Sequence, residues 1–280
     1  MSRLSSYPIL APLLCALSVA AALPAHADQG VDVLQTFTDY TQWTLLGSAT
    51  ASNAVPGNGF KYSLLSLTAT GLGDQGGAGW APDALALDFN QSFSFVFPFF
   101  IAAGNVVRGD GLTLVLAAAP ALGSAGSGLG YEGLDSSVAF AIDTFHFDGD
   151  PVSPSLQILS GGSVSPLAAT ETGLGDSIRD PALQWIASVN YAPSGLSDDA
   201  GILTGTIQRP DLGMFSVSTA VNFADAGLAG NPVYWGFTGA NGLADDGQFV
   251  TSATPVPEPG AAALWLAGLA AVGFVTYRRR

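Results

Sequence analysis

Residues 92–101 read SFSFVFPFFI, and Phe93, Phe95, Phe97 and Phe99 fall on alternate positions within them. A period of two puts all four rings on one side of an extended chain, whereas a helix would scatter them around its circumference. The chain must therefore bury one face of a strand here, and other segments repeat the demand. LTLVLA (112–117), SVAFAI (137–142), QWIASVNY (184–191), GILTGTI (201–207), MFSVSTAV (214–221) and VYWGFT (233–238) are short β-rich or apolar runs bounded by Gly, Asp and Ser. YTQWTLLGSAT (40–50) and KYSLLSLTA (61–69) precede them, and 35 glycines punctuate the whole. No segment before residue 261 combines helical periodicity with helix length. Many short strands at this spacing predict an all-β fold, an antiparallel β-sandwich or jelly roll. With no internal repeat and no dividing linker, one domain is expected over residues 28–253.

Both ends read as targeting segments. Residues 1–27 have an early Arg3, an apolar centre and a closing Ala-His-Ala before Asp28, the form of a signal peptide that signal peptidase removes. Cys15, the only cysteine, lies inside it behind Leu14, where a lipid-attachment signal would need a small residue. The mature chain is then free of disulfide and thiolate chemistry. At the other end, residues 261–277 are apolar and would make a helix of ~26 Å, near the lower limit for spanning a membrane. Arg278, Arg279 and Arg280 follow at once and hold that end in the cytoplasm, leaving the body outside the inner membrane. Pro257, Glu258 and Pro259 precede the apolar run. This order of tripeptide, transmembrane helix and arginine cluster, over residues 254–280, resembles the bacterial PEP-CTERM sorting signal. The resemblance implies an exosortase as processing partner and release to the cell surface or extracellular matrix. A plain C-terminal membrane anchor is the alternative.

The body is strongly acidic. Four of the eight basic residues, Arg3 and Arg278 to Arg280, lie in the end segments, but only one of the 22 acidic residues, Glu258, does. The remaining 21 acids against four bases give a net charge of −17, which excludes nucleic acid and anionic lipid as partners of the folded body. A cysteine-free acidic chain can hold Ca²⁺, which takes oxygen ligands. Asp143, Asp148 and Asp150 crowd directly behind an apolar run, in AFAIDTFHFDGDP (139–151). Such a cluster is either a solvated turn or a cation site.

Three further elements, in order, carry a family resemblance. They are the RGDGLT that includes Asp110, the GSGLGY loop leading into AIDTF, and the late strand YWGFT. Together they resemble the L-type (legume-like) lectins over roughly residues 35–250. The resemblance implies a concanavalin-like sandwich of two large sheets, with a shallow site for a saccharide or exopolysaccharide on loops at one end. It implies that Asp110 and Gly128, with Gly126 as the alternative to Gly128, hydrogen-bond sugar hydroxyls. It assigns Asp143, the carbonyl of Phe145 and Asp150 to calcium, and lets the Phe145 ring stack on the sugar. The residues 238–248 match the loop that closes the family's site.

The departures from the family are equally specific. Ala141 and Ser155 stand where its transition-metal site has Glu and His, so a Mn²⁺-type ion lacks its ligands. Phe147 stands where the family's Asn touches both calcium and sugar; Asp148 replaces it for both roles if the loop is shortened. Related sandwich glycanases need two glutamates around Asp143, and Ala141 and His146 occupy those places. His146 is also the sole histidine of the mature chain and no Gly-x-Ser-x-Gly elbow precedes it, so a serine triad is not available either. The expected function is non-catalytic saccharide binding, with calcium as the cofactor. The alternative is a structural surface or matrix protein that keeps the sandwich and has lost the site. Trp185 and Trp235 are expected in the core or at the rim.

Overall fold

Period-two patterning becomes two stacked sheets. The structure, a computed structural model, describes residues 29–255 apart from 57–58, 105–106, 148 and 196. The chain order begins with strands β1 (Val31–Asp32), β2 (Thr44–Gly47), β3 (Thr50–Ala54), β4 (Phe60–Thr68), β5 (Gly76–Trp80), β6 (Phe93–Ala102) and β7 (Gly111–Ala117). It continues with β8 (Ser137–Asp143), β9 (Ser155–Ser160), β10 (Ser163–Glu171), β11 (Trp185–Pro193), β12 (Ala200–Arg209), β13 (Gly213–Asn222), β14 (Tyr234–Ala240) and β15 (Gly247–Pro255). One sheet runs β13-β12-β11-β6-β15-β4-β3, with β1 added parallel to β6, and the other runs β10-β9-β8-β7-β14-β5-β2. Every other strand pair is antiparallel. The only helical elements among the described residues are short 3-10 turns, and none is long and apolar enough to cross a membrane. The expected signal peptide (1–27), Pro257, Glu258, Pro259, the apolar run 261–277 and Arg278 to Arg280 lie outside the described residues.

The core lies between the sheets. Phe93, Phe95, Phe97, Phe99 and Ile101 of β6 point into it, where they meet Phe140, Ile142, Leu156, Ile158 and Phe237 from the opposite sheet. Burial of each such side chain is worth about 1.5–3 kcal/mol relative to exposure. Trp185 and Trp235 are both core residues: Trp185 is fully buried under the Arg209 guanidinium, and Trp235 packs edge-on against Trp43.

Strands β7 and β8 are buried along their whole length, on both faces. Leu112, Leu114 and Leu116 face the central core, while Val115 and Ala117 join a second apolar cluster with Trp80, Leu129 and Tyr131. That second cluster exists because the β7–β8 connection folds back over the outer face of the sheet. Trp80 Nε1 donates to the Ala121 carbonyl at 2.8 Å, and Thr238 Oγ1 to that of Leu129 at 2.8 Å. The fold-back carries Gly126 to the opposite end of the sheet, beside Gly242.

Candidate functional site

Three strand ends meet where Asp110 sits. Gly111, the first residue of β7, pairs with Asp143 at the end of β8 and with Ala240 at the end of β14. Gly111 has φ +130°, and a Cβ there would lie 2.2 Å from the Ile142 carbonyl oxygen, so the turn into β7 admits only glycine. The Asp110 carbonyl accepts the Thr144 N–H at 2.9 Å, and its carboxylate accepts the Gly242 N–H at 2.5 Å. Asp110 is 6% exposed. Burial pushes its carboxyl up to about 6, against the lowering effect of the Gly242 N–H.

Asp110 forms part of the wall of a cavity of about 350 Å³. Phe145 and Phe147, from the β8–β9 loop, supply aromatic surface. Gly126 and Ser127 come from the folded-back β7–β8 connection, Val107 and Arg108 from the loop ahead of Asp110, and Gly242, Leu243 and Ala244 from the β14–β15 loop. Leu243 is 93% exposed and Phe147 57%, unusual exposure for side chains of this size at one rim. The N–H groups of Gly126 and Ser127 donate to no described residue. The cavity thus combines a buried carboxylate acceptor, backbone donors and apolar rim surface, the lining that fixes a small polar ligand. Arg108 and Phe145 also border a neighbouring space of about 300 Å³ with His146 and Asp176.

Gly128 lies one step behind this wall. It is buried, its N–H donates to the Ala125 carbonyl at 3.3 Å, and its carbonyl accepts from Tyr131 and Glu132. A Cβ on Gly128 would fall 2.7 Å from that of Ser124. The glycine is required by the loop's own packing, and Gly126 is the residue that reaches the cavity.

Asp143 is 6% exposed and surrounded by donors. Oδ1 accepts the Phe145 N–H at 3.0 Å and the Ser153 hydroxyl at 3.1 Å, and Oδ2 accepts Gln157 Nε2 at 2.8 Å. Burial pushes this carboxyl up to about 7, with the charge of Asp150 adding to the rise. Asp150 turns its own Oδ2 to the Phe147 N–H at 3.2 Å. Asp148 lies outside the described residues. The Gln157 amide and the Ser153 hydroxyl engage Asp143 lone pairs that a calcium ion would also use. Among the described residues no group of three acidic, histidine or cysteine side chains could hold a metal ion. Of the expected calcium set, Asp143, Phe145 and Asp150 are described and Asp148 is not.

Residues 255–280 match the family described as the PEP-CTERM protein-sorting motif. A search of the curated proteins returned no match. Among solved structures, a lectin from Bauhinia forficata in complex with GalNAc superposes with a TM-score of 0.60 at 23% identity, covering 79% of this chain and 96% of that one. Lectin I-B4 from Griffonia simplicifolia, in its metal-free form, gives 0.59 at 20% identity over 76% of this chain and 94% of its own. Arcelin-5 from Phaseolus vulgaris, a lectin-like defence protein, gives 0.57 at 18% identity over 78% and 94%. The chain has the L-type lectin fold and carries a PEP-CTERM signal.

On this L-type lectin fold, Asp110 and Phe145 share one cavity wall, and the 238–248 loop contributes Gly242, Leu243 and Ala244. Asp143 and Asp150 are not on that wall. Val107, Arg108, Ser127 and Phe147 are lining residues that sequence patterning did not single out as ligand-binding. Apolar side chains in loops, where solvation would ordinarily favour polar ones, were the signal for Val107 and Phe147, and Arg108 and Ser127 gave none.

Proposed function

We propose that this protein is exported and binds a saccharide, without catalysis, in the cavity built around Asp110. The observation that carries this reading is a buried carboxylate on the wall of a cavity also lined by Gly126 and Ser127, whose N–H groups have no partner among the described residues, and by the rings of Phe145 and the exposed Phe147. Sugar hydroxyls need acceptors and donors held rigidly, and a sugar's C–H face needs apolar surface. The likeness to a lectin solved with GalNAc supports saccharide as the ligand class. Asp110, Gly126, Ser127 and the rings of Phe145 and Phe147 are the contacts in this reading, with Gly128 supporting the loop from behind. The PEP-CTERM match supports passage to the membrane, processing by an exosortase and display on the cell surface or in an exopolysaccharide matrix. The hydrogen bonds around Asp143 support a site that works without calcium. A glycan array probed with the full-length protein in chelator, followed by Asp110→Ala, tests the reading.

A second reading, a structural matrix protein with a closed lectin-like site, has one observation in its favour. Phe147 occupies the expected place of a polar sugar contact and faces solvent. A protein that binds no glycan on the array yet assembles with matrix polymer components would support it.

A further inference from the structure

We infer that the loop bearing Asp110 is fastened by a cation the protein supplies itself, the Arg179 guanidinium, rather than by a metal ion. Arg179 ends the 3-10 turn Gly175–Arg179, and its side chain is 4% exposed. Its Nη2 lies 2.6 Å from Asp246 Oδ1 and 3.3 Å from the Val107 carbonyl. Asp246 has no exposed surface. Its Oδ1 also accepts the Gly104 N–H at 3.0 Å, and its Oδ2 accepts the Gly109 N–H at 2.8 Å. One carboxylate therefore takes amides from both ends of the stretch that leads into Asp110, and one guanidinium holds that carboxylate and a carbonyl of the same stretch.

The other anchor of Asp110 returns to the same place. Asp246's carbonyl accepts Asn241 Nδ2 at 2.7 Å and Thr68 Oγ1 at 2.8 Å. Asn241 Oδ1 accepts Gln248 Nε2 at 2.9 Å. Gly242, the next residue after Asn241, gives Asp110 its N–H. Gly109 before Asp110 is thus held by the Asp246 carboxylate, Asn241 before Gly242 is held by the Asp246 carbonyl, and the carboxylate is held by Arg179. A divalent ion would need this carboxylate's lone pairs, which amides and a guanidinium already fill. A buried carboxylate without its cation is costly, so neither partner is dispensable. Arg179 and Asp246 are positioning residues, and the arrangement stands whether or not the cavity takes a sugar.

Hydrogen–deuterium exchange of the full-length protein tests this. Peptides covering 103–110 and 240–247 should be equally protected in EDTA and in millimolar Ca²⁺ or Mn²⁺. Arg179→Met should raise their exchange at least tenfold, while peptides of β6 and β11 stay as in the wild type. Arg179→Lys, which keeps the charge without the forked donors, should restore part of the protection. If Arg179→Met does not fold, the wild-type metal comparison and the partial loss in Arg179→Lys decide the matter. Protection that depends on added metal would overturn the inference, as would Arg179→Met or Arg179→Lys peptides protected as in the wild type.

Discussion

The amide of Gly242 donates to the carboxylate of Asp110 at 2.5 Å, joining the β14–β15 loop to the head of β7 across 132 residues of sequence. This bond makes Asp110 part of the frame as well as part of the cavity wall. Asp110→Asn keeps an oxygen for Gly242 and keeps the shape, but removes a charge that burial disfavours. We expect it to stabilise the fold at pH 7 by about 1–3 kcal/mol and to weaken saccharide binding. Urea denaturation and calorimetric titration on the same sample measure both effects.

Gly111→Ala should be far more damaging. The new Cβ would meet the Ile142 carbonyl oxygen at 2.2 Å in a backbone conformation that L side chains rarely adopt. We expect a loss of about 3 kcal/mol or more, read as a lowered denaturant midpoint with an unchanged slope.

Phe147 is 57% exposed and belongs to neither apolar cluster. Phe147→Ala should leave the melting temperature unchanged and weaken saccharide binding about tenfold, equivalent to ~1.4 kcal/mol. Titration calorimetry beside a thermal melt separates the two.

Stability should fall as pH rises from about 4 to about 7. The folded state holds the Asp143 proton to about pH 7 and that of Asp110 to about 6, against an ordinary value of 3.8 for each. A raised pKa gives stability that is present below the unfolded value and lost as pH climbs through the folded one. Asp39 runs the other way: hydrogen bonds from Thr41 and Asn53 hold it at about 2, so its contribution is lost only in stronger acid. Asp143→Asn should flatten the slope between pH 4 and 7. A carboxylate bound to a cation would be ionised throughout that window, so Asp143's share of the fall should be absent if added Ca²⁺ occupies it, which makes denaturation against pH, with and without Ca²⁺, a check on calcium binding.

Much of the sandwich was legible because alternation survives wherever only one face is buried. β6 spans Phe93–Ala102, within a residue of the SFSFVFPFFI run, and β11 to β14 fall on the segments that sequence patterning marked. β5 was not legible, since GGAGW reads as a turn. Its glycines serve close packing instead: a Cβ on Gly77 would lie 2.1 Å from the Leu67 carbonyl oxygen. β10 hid for a different reason, carrying Pro166 on an edge strand, where the missing donor costs no ladder bond. At the site, the family resemblance led to Asp110 and Phe145. It could not separate Gly126 from Gly128, because loop packing alone decides which glycine reaches the cavity. It could not find the Arg179–Asp246 pair, whose partners are 67 residues apart and match no motif.

The most direct test is titration calorimetry of the full-length protein, in EDTA, with the best saccharide from a glycan array, comparing the wild type with Asp110→Ala. We predict saturable binding by the wild type that added Ca²⁺ does not strengthen, and at least a tenfold loss in Asp110→Ala. Absence of binding by the wild type in both EDTA and Ca²⁺, or equal affinity in the two proteins, would contradict the assignment of this cavity to a saccharide.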